Sequence, residues 1–120
     1  MTNQQIFDKV AKHLLKQRER SRSRKIDFCM YRGPNGLKCA IGCLIPDKKY
    51  LKRWDKQDKR IEPYKVRDEI FDVLDLFACE NILRDLQVLH DVEDVCDWPA
   101  GLVELALEYD LHPGAAEITR

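Results

Sequence analysis

The sequence predicts an α-rich α+β domain, with about four main helices and one short β-hairpin packed on them. Three observations lead there. Apolar residues recur at helical spacing in four separate stretches. Ile26, Phe28 and Met30 alternate with Asp27 and Cys29, and a turn signal, Arg32-Gly33-Pro34-Asn35-Gly36, follows at once. The chain has 120 residues, 44% hydrophobic and 35% charged, which suits a single domain with a charged surface.

The first helix follows Thr2, which can cap it, with Gln5 three residues on to complete a capping box. Ile6, Phe7, Val10, Ala11, Leu14 and Leu15 form its apolar stripe. Residues 17–25, Gln-Arg-Glu-Arg-Ser-Arg-Ser-Arg-Lys, contain no apolar side chain and are expected to form a flexible basic connector. In the expected hairpin, Pro34 presets its own φ and Asn35-Gly36 tolerate positive φ, while Leu37-Lys38-Cys39 returns as the second strand. Ala40 to Ile45 reads as one or two buried helical turns, ended by Pro46-Asp47. Residues 47–63 are dense in charge and predict an irregular excursion with a helical turn near Tyr50.

From Tyr64 the helical pattern returns. Val66, Ile70, Val73, Leu74 and Phe77 share one face; Ile82, Leu83, Leu86, Leu89 and Val92 continue in a second phase, so a break is expected near Ala78–Glu80. Trp98-Pro99 opens the last helix, with Asp97 as its cap and Leu102, Val103, Leu105, Ala106 and Tyr109 as its buried stripe.

The two halves carry opposite charge. Residues 1–60 hold 17 Lys/Arg against 6 Asp/Glu; residues 61–120 hold 4 against 15. A basic face for a polyanion is one reading, and mutual cancellation of the folded halves is the other. No apolar run is long enough for a membrane span, and the N-terminal residues lack the pattern of a signal peptide. A cytoplasmic location is therefore expected, with five free cysteines, an odd number that excludes complete internal pairing.

Several residues are candidates for chemistry. Arg18, Arg20, Arg22, Arg24 and Lys25 place five cations in eight residues and could grip phosphates, against the plainer reading of a solvated loop. At the turn, Tyr31, Arg32, Asn35 and Lys38 exceed what turn geometry requires. An aromatic ring and two cations around exposed amides could hold a nucleotide phosphate, a nucleic-acid backbone or an acidic protein surface. The spacing is too short for a phosphate-binding loop of the G-x-x-x-x-G-K-[ST] type. Trp54, set among Lys52, Arg53, Asp55 and Lys56, is the better candidate for an exposed anchor, and Trp98 for the core.

Cys39 and Cys43, four apart, would share a helix face. With Cys29 and His90 they could make a zinc site, although no second close pair of ligands is present. Cys39 could alternatively be a nucleophile with His90-Asp91 as base and carboxylate, but neighbours on a helix point about 100° apart. Small buried thiols are the structural alternative for both.

The block Tyr31-Arg32-Gly33-Pro34-Asn35-Gly36-Leu37-Lys38-Cys39-Ala40-Ile41-Gly42-Cys43-Leu44-Ile45-Pro46-Asp47 resembles a family of small uncharacterised proteins of tailed bacteriophages and prophages. Glu80-Asn81, Leu86-Gln87-Val88-Leu89-His90-Asp91 and Trp98 fit the same outline. The Ser-Arg connector and the basic residues 48–62 depart from it. The resemblance implies a bacterial host cytoplasm and supplies no catalytic residues and no cofactor. The leading expectation is thus a non-enzymatic phage accessory protein that binds a host protein or a small nucleotide signal, in host takeover or anti-defence. A nucleic-acid-binding protein using the basic half is the alternative, and a Cys- or zinc-dependent enzyme the second.

Overall fold

A computed structural model describes residues 1–22, 29–56, 63–114 and 116–117. It contains four α-helices: α1 (Asn3–Gln17), α2 (Pro63–Leu74), α3 (Glu80–Val92) and α4 (Trp98–Glu108). One-turn 3-10 segments lie at Pro34–Gly36, Gly42–Leu44, Lys52–Asp55, Phe77–Cys79 and Val95–Asp97.

The capping box forms as the sequence predicts. The Gln5 N–H donates to Thr2 Oγ1 at 3.1 Å, and the Thr2 N–H donates to Gln5 Oε1 at 2.8 Å. All six residues of the α1 stripe are buried. Helix α1 packs against both α3 and α4, which pack on each other, and the Gly42–Leu44 turn closes over it. The predicted break between the second and third helices is real. Asp75 takes positive φ (55°) after α2, and the Phe77–Cys79 turn leads into α3.

The expected β-hairpin is not present. Among the described residues there is no β-strand, only the isolated bridges Arg22–Cys29 and Arg32–Lys38; residues 26–28 of the expected first strand lie outside the described residues. The reason is where the backbone groups go. The N–H groups of Tyr31 and Arg32 donate to the two carboxylate oxygens of Asp55, at 2.7 and 3.0 Å. The Lys38 N–H donates to Gln17 Oε1, and the Lys38 carbonyl accepts from Gln17 Nε2 and His13 Nε2, each at 2.9 Å. Side chains of α1 and of the Lys52–Asp55 turn thus take the bonds that a strand partner would have made.

Two stripes differ from expectation. In α2 the buried residues are Ile70 and Phe71, while Val73 is exposed within the helix and Phe77 is exposed in the next turn, beyond the helix end at Leu74. On α3, Val92 is exposed beyond the buried Ile82, Leu83, Leu86 and Leu89. Asp97 precedes α4 but makes no side-chain cap bond. Its own backbone is already helical (φ −94°, ψ −5°), continuing from the 3-10 turn. No helix among the described residues is long and apolar enough to cross a membrane.

The His13–Lys38 contact has a pH consequence. Burial lowers the pKa of His13 from 6.5, outweighing the hydrogen bond to the Lys38 carbonyl. Just below pH 6.5 the unfolded chain therefore binds more protons than the folded one, so stability falls as pH drops through that window. The urea midpoint of the wild type should fall between pH 7.5 and 5.5, and His13→Gln should reduce that fall. An equal pH slope in the variant would assign the effect elsewhere.

Candidate functional site

The turn at Pro34–Gly36 is tight. The Gly33 N–H donates to the Leu37 carbonyl at 2.8 Å, and Asn35 (φ 60°) and Gly36 (φ 76°) both sit in the left-handed region. Both tip residues are exposed. Arg32, beneath the tip, is turned into the protein. Its guanidinium lies 4.4 Å from the centre of the Tyr50 ring, donates to the Ile45 carbonyl at 3.0 Å and pairs with Asp47 at 2.7 Å. Tyr50 in turn donates its hydroxyl to Asp55 at 2.5 Å. Arg32 is therefore engaged through its side chain in contacts within residues 31–55, Tyr31 through its backbone N–H to Asp55, and Lys38 through its backbone to Gln17 and His13 of α1.

Trp54 is buried, only 4% exposed, in an edge-on contact with Tyr50 (centroids 6.0 Å apart), rather than the exposed anchor expected. The charged neighbours misled. The 3-10 turn sends Trp54 inward while Lys52 and Arg53 face out, and Arg53 forks onto Glu69 of α2. Trp98 is buried as expected.

The described part of the connector is anchored by several contacts. Ser21 is fully buried; its N–H donates to His90 Nε2 at 3.1 Å, and its carbonyl accepts from the Met30 N–H at 2.7 Å. Arg20 donates to the carbonyls of Val92, the last residue of α3, and of Glu93, which caps it, where the helix dipole favours a cation. Arg18, in the left-handed region (φ 51°), ends α1 and donates to the Leu15 carbonyl at 3.0 Å. Arg24 and Lys25 lie outside the described residues.

This anchoring brings the connector beside the turn. Arg18, Arg20 and Arg22 line one side of an open groove of about 480 Å³, with Glu19 among them, and Pro34, Asn35 and Leu37 line the other, with Val95. The structure thus unites Arg18, Arg20, Arg22 and Asn35 and leaves Tyr31, Arg32, Lys38 and Trp54 out of the groove. Glu19, Leu37 and Val95 carried no signal in the sequence, because a long-range contact, Ser21 to His90, assembles the site.

Three thiols, Cys29, Cys39 and Cys43, are held protonated. Burial, reinforced by Asp91, pushes Cys29 up to about 11; burial pushes Cys43 up to about 12 and Cys39 further. With a thiol reagent at pH 8, the exposed Cys96 should react fast and Cys29, Cys39 and Cys43 slowly. Fast labelling of Cys39 would return the nucleophile reading to contention.

Cys29, His90 and Asp91 do cluster, their ligand atoms within 4.8 Å of one another, without Cys39 or Cys43. The hydrogen bonds argue against a metal there. Because the Ser21 N–H can only donate, His90 Nε2 accepts, so Nδ1 carries the proton and donates to Asp91 at 2.7 Å. Both ring nitrogens are committed, and the ring stacks on Trp98. Gln87 extends the network, donating to Asp91 at 2.8 Å and accepting from the Ile41 N–H at 3.0 Å. His90 and Asp91 hold the connector and the Ile41 segment onto α3.

The class defined is an all-helical protein, over the described residues, with a mixed-charge groove between a basic connector and a glycine-rich turn. Compared with protein-family models, curated proteins and solved structures, the chain matches none.

Proposed function

We propose that the chain is a non-enzymatic binding protein and that the groove between connector and turn takes a small nucleotide. One observation carries the reading. Three arginines and the turn-tip Asn35 face a single groove whose volume, about 480 Å³, is that of a small-molecule site. Guanidinium groups recognise phosphate by charge-assisted, two-pronged hydrogen bonds. The raised thiol pKa values favour binding over cysteine chemistry. The phage-like block Tyr31–Asp47 supports an accessory role, in which the nucleotide is a signal of the bacterial host.

Titration calorimetry with AMP, ADP and cyclic di-AMP tests this. At least one should bind, and the double variant Arg18→Ala/Arg22→Ala should weaken it at least tenfold, roughly the worth of one hydrogen bond to a charged group. Asn35→Gly should weaken binding with an unchanged thermal midpoint, since glycine takes positive φ freely. Absence of binding, or equal binding by the double variant, removes the groove from consideration. Retention of single-stranded RNA with a steep salt dependence, and no nucleotide affinity, would favour a nucleic-acid partner instead.

A further inference from the structure

The groove is not uniformly cationic. Glu19 sits on its lining between Arg18 and Arg20, exposed, and its carboxylate engages no side chain among the described residues. The two arginines flanking it donate elsewhere, Arg18 to the Leu15 carbonyl and Arg20 to Val92 and Glu93. A free carboxylate repels a phosphate, so a purely anionic ligand gains less from this groove than its arginines suggest. A ligand that carries hydroxyl donors a few ångströms from its phosphate turns that cost into a hydrogen bond. Leu37 and Val95, with Pro34, add an apolar surface against which a flat ring can lie.

We infer that the groove selects ribonucleotides, with Glu19 accepting hydrogen bonds from the ribose 2′- and 3′-hydroxyls while Arg18 meets the phosphate and Leu37 and Val95 meet the base. This rests on the nucleotide reading above and sharpens it. A carboxylate accepts from two adjacent hydroxyls at once, one on each oxygen, which an amide or a lone hydroxyl does less well. The same group penalises a sugar without hydroxyls, because it is then left beside a phosphate with nothing to accept from.

The experiment compares ADP with 2′,3′-dideoxy-ADP on the wild type and on Glu19→Ala, by titration calorimetry, with thermal midpoints as the folding control. The wild type should prefer ADP by about tenfold, the ratio corresponding to a hydrogen bond to a charged group in an open site. Glu19→Ala should weaken ADP and strengthen the dideoxy analogue, so that the two affinities converge. A purely structural role for Glu19 would move both in the same direction, which overturns the inference. Equal binding of both ligands to the wild type overturns it too and leaves the nucleotide reading standing. Failure of both ligands to bind, in the protein that also rejects AMP and cyclic di-AMP, overturns both.

Discussion

Gly42→Ala should lower the stability of the protein by about 3 kcal/mol, the upper end of what overpacking a well-filled interior costs. The backbone at Gly42 is not the obstacle, because it lies in a 3-10 turn without positive φ and alanine adopts such angles readily. Space is the obstacle. A Cβ on Gly42 would lie 1.9 Å from the Tyr31 carbonyl oxygen, 2.8 Å from its carbon and 3.0 Å from the Tyr31 Cα. All three are backbone atoms, so no rotamer change relieves the clash. Tyr31 cannot retreat cheaply either, since its N–H and that of Arg32 are held by Asp55. For a domain of this size the loss corresponds to a fall of about 10 °C in thermal midpoint. Gly36→Ala is the control. A Cβ there meets nothing within 4 Å, but φ is +76°, so only the left-handed strain of about 1 kcal/mol applies. A Gly42→Ala protein as stable as wild type would mean that the Tyr31 and Gly42 segments do not cross at this distance.

The crossing also explains a good part of the Tyr31–Asp47 block in physical terms. Gly42 admits the Tyr31 carbonyl, and a Cβ on Gly33 would meet Ser21 Oγ at 2.6 Å. Arg32 and Asp47, near the two ends of the block, pair with each other. The most distinctive stretch of the sequence is therefore chiefly a folding unit, and it reaches the candidate site through Pro34, Asn35 and Leu37.

What could be read from the sequence was local. The capping box at Thr2 and Gln5, the α1 stripe, the break before Glu80 and the turn at Gly33–Gly36 each depend on residues a few positions apart. The hairpin failed because alternation at Ile26, Phe28 and Met30 describes an extended chain without naming its partner. The partners of the flanking backbone turned out to be Gln17 and Asp55, 21 and 23 to 24 residues away. Phe71 was missed for a related reason. The second-helix stripe was extended through Phe77, although α2 stops at Leu74 and its buried face shifts towards Ile70 and Phe71. The groove was half legible: Arg18, Arg20, Arg22 and Asn35 stood out by type, but only the contact of Ser21 with His90, 69 residues apart, puts them together.

Asp55→Ala should cost about 3 kcal/mol, for a reason opposite in kind to the crowding at Gly42. Asp55 accepts three hydrogen bonds, from the Tyr31 N–H, the Arg32 N–H and the Tyr50 hydroxyl, at 2.7, 3.0 and 2.5 Å. Each orphaned buried donor costs about 1–3 kcal/mol, and partial access of water to this half-buried site keeps the sum near the lower bound. Tyr50→Phe removes one bond and leaves both backbone donors satisfied, so it should cost only about 1 kcal/mol. Burial, with the Asp55 contact, raises the Tyr50 pKa, so this hydroxyl keeps its proton and stays a donor at neutral pH. Asp55→Asn should fall between the two, because its amide NH2 would face a donor in place of an acceptor. In the double variant Asp55→Ala/Tyr50→Phe the losses should add to less than their sum, since both single changes remove the same bond. Strict additivity would show that the Tyr50–Asp55 contact contributes nothing. The consequence reaches the groove, because the Asp55 carboxylate is what holds Tyr31 and Arg32, and the turn that follows them, in place. Asp55→Ala should therefore weaken nucleotide binding even at temperatures where the variant remains folded, whereas Tyr50→Phe should leave it near the wild-type value.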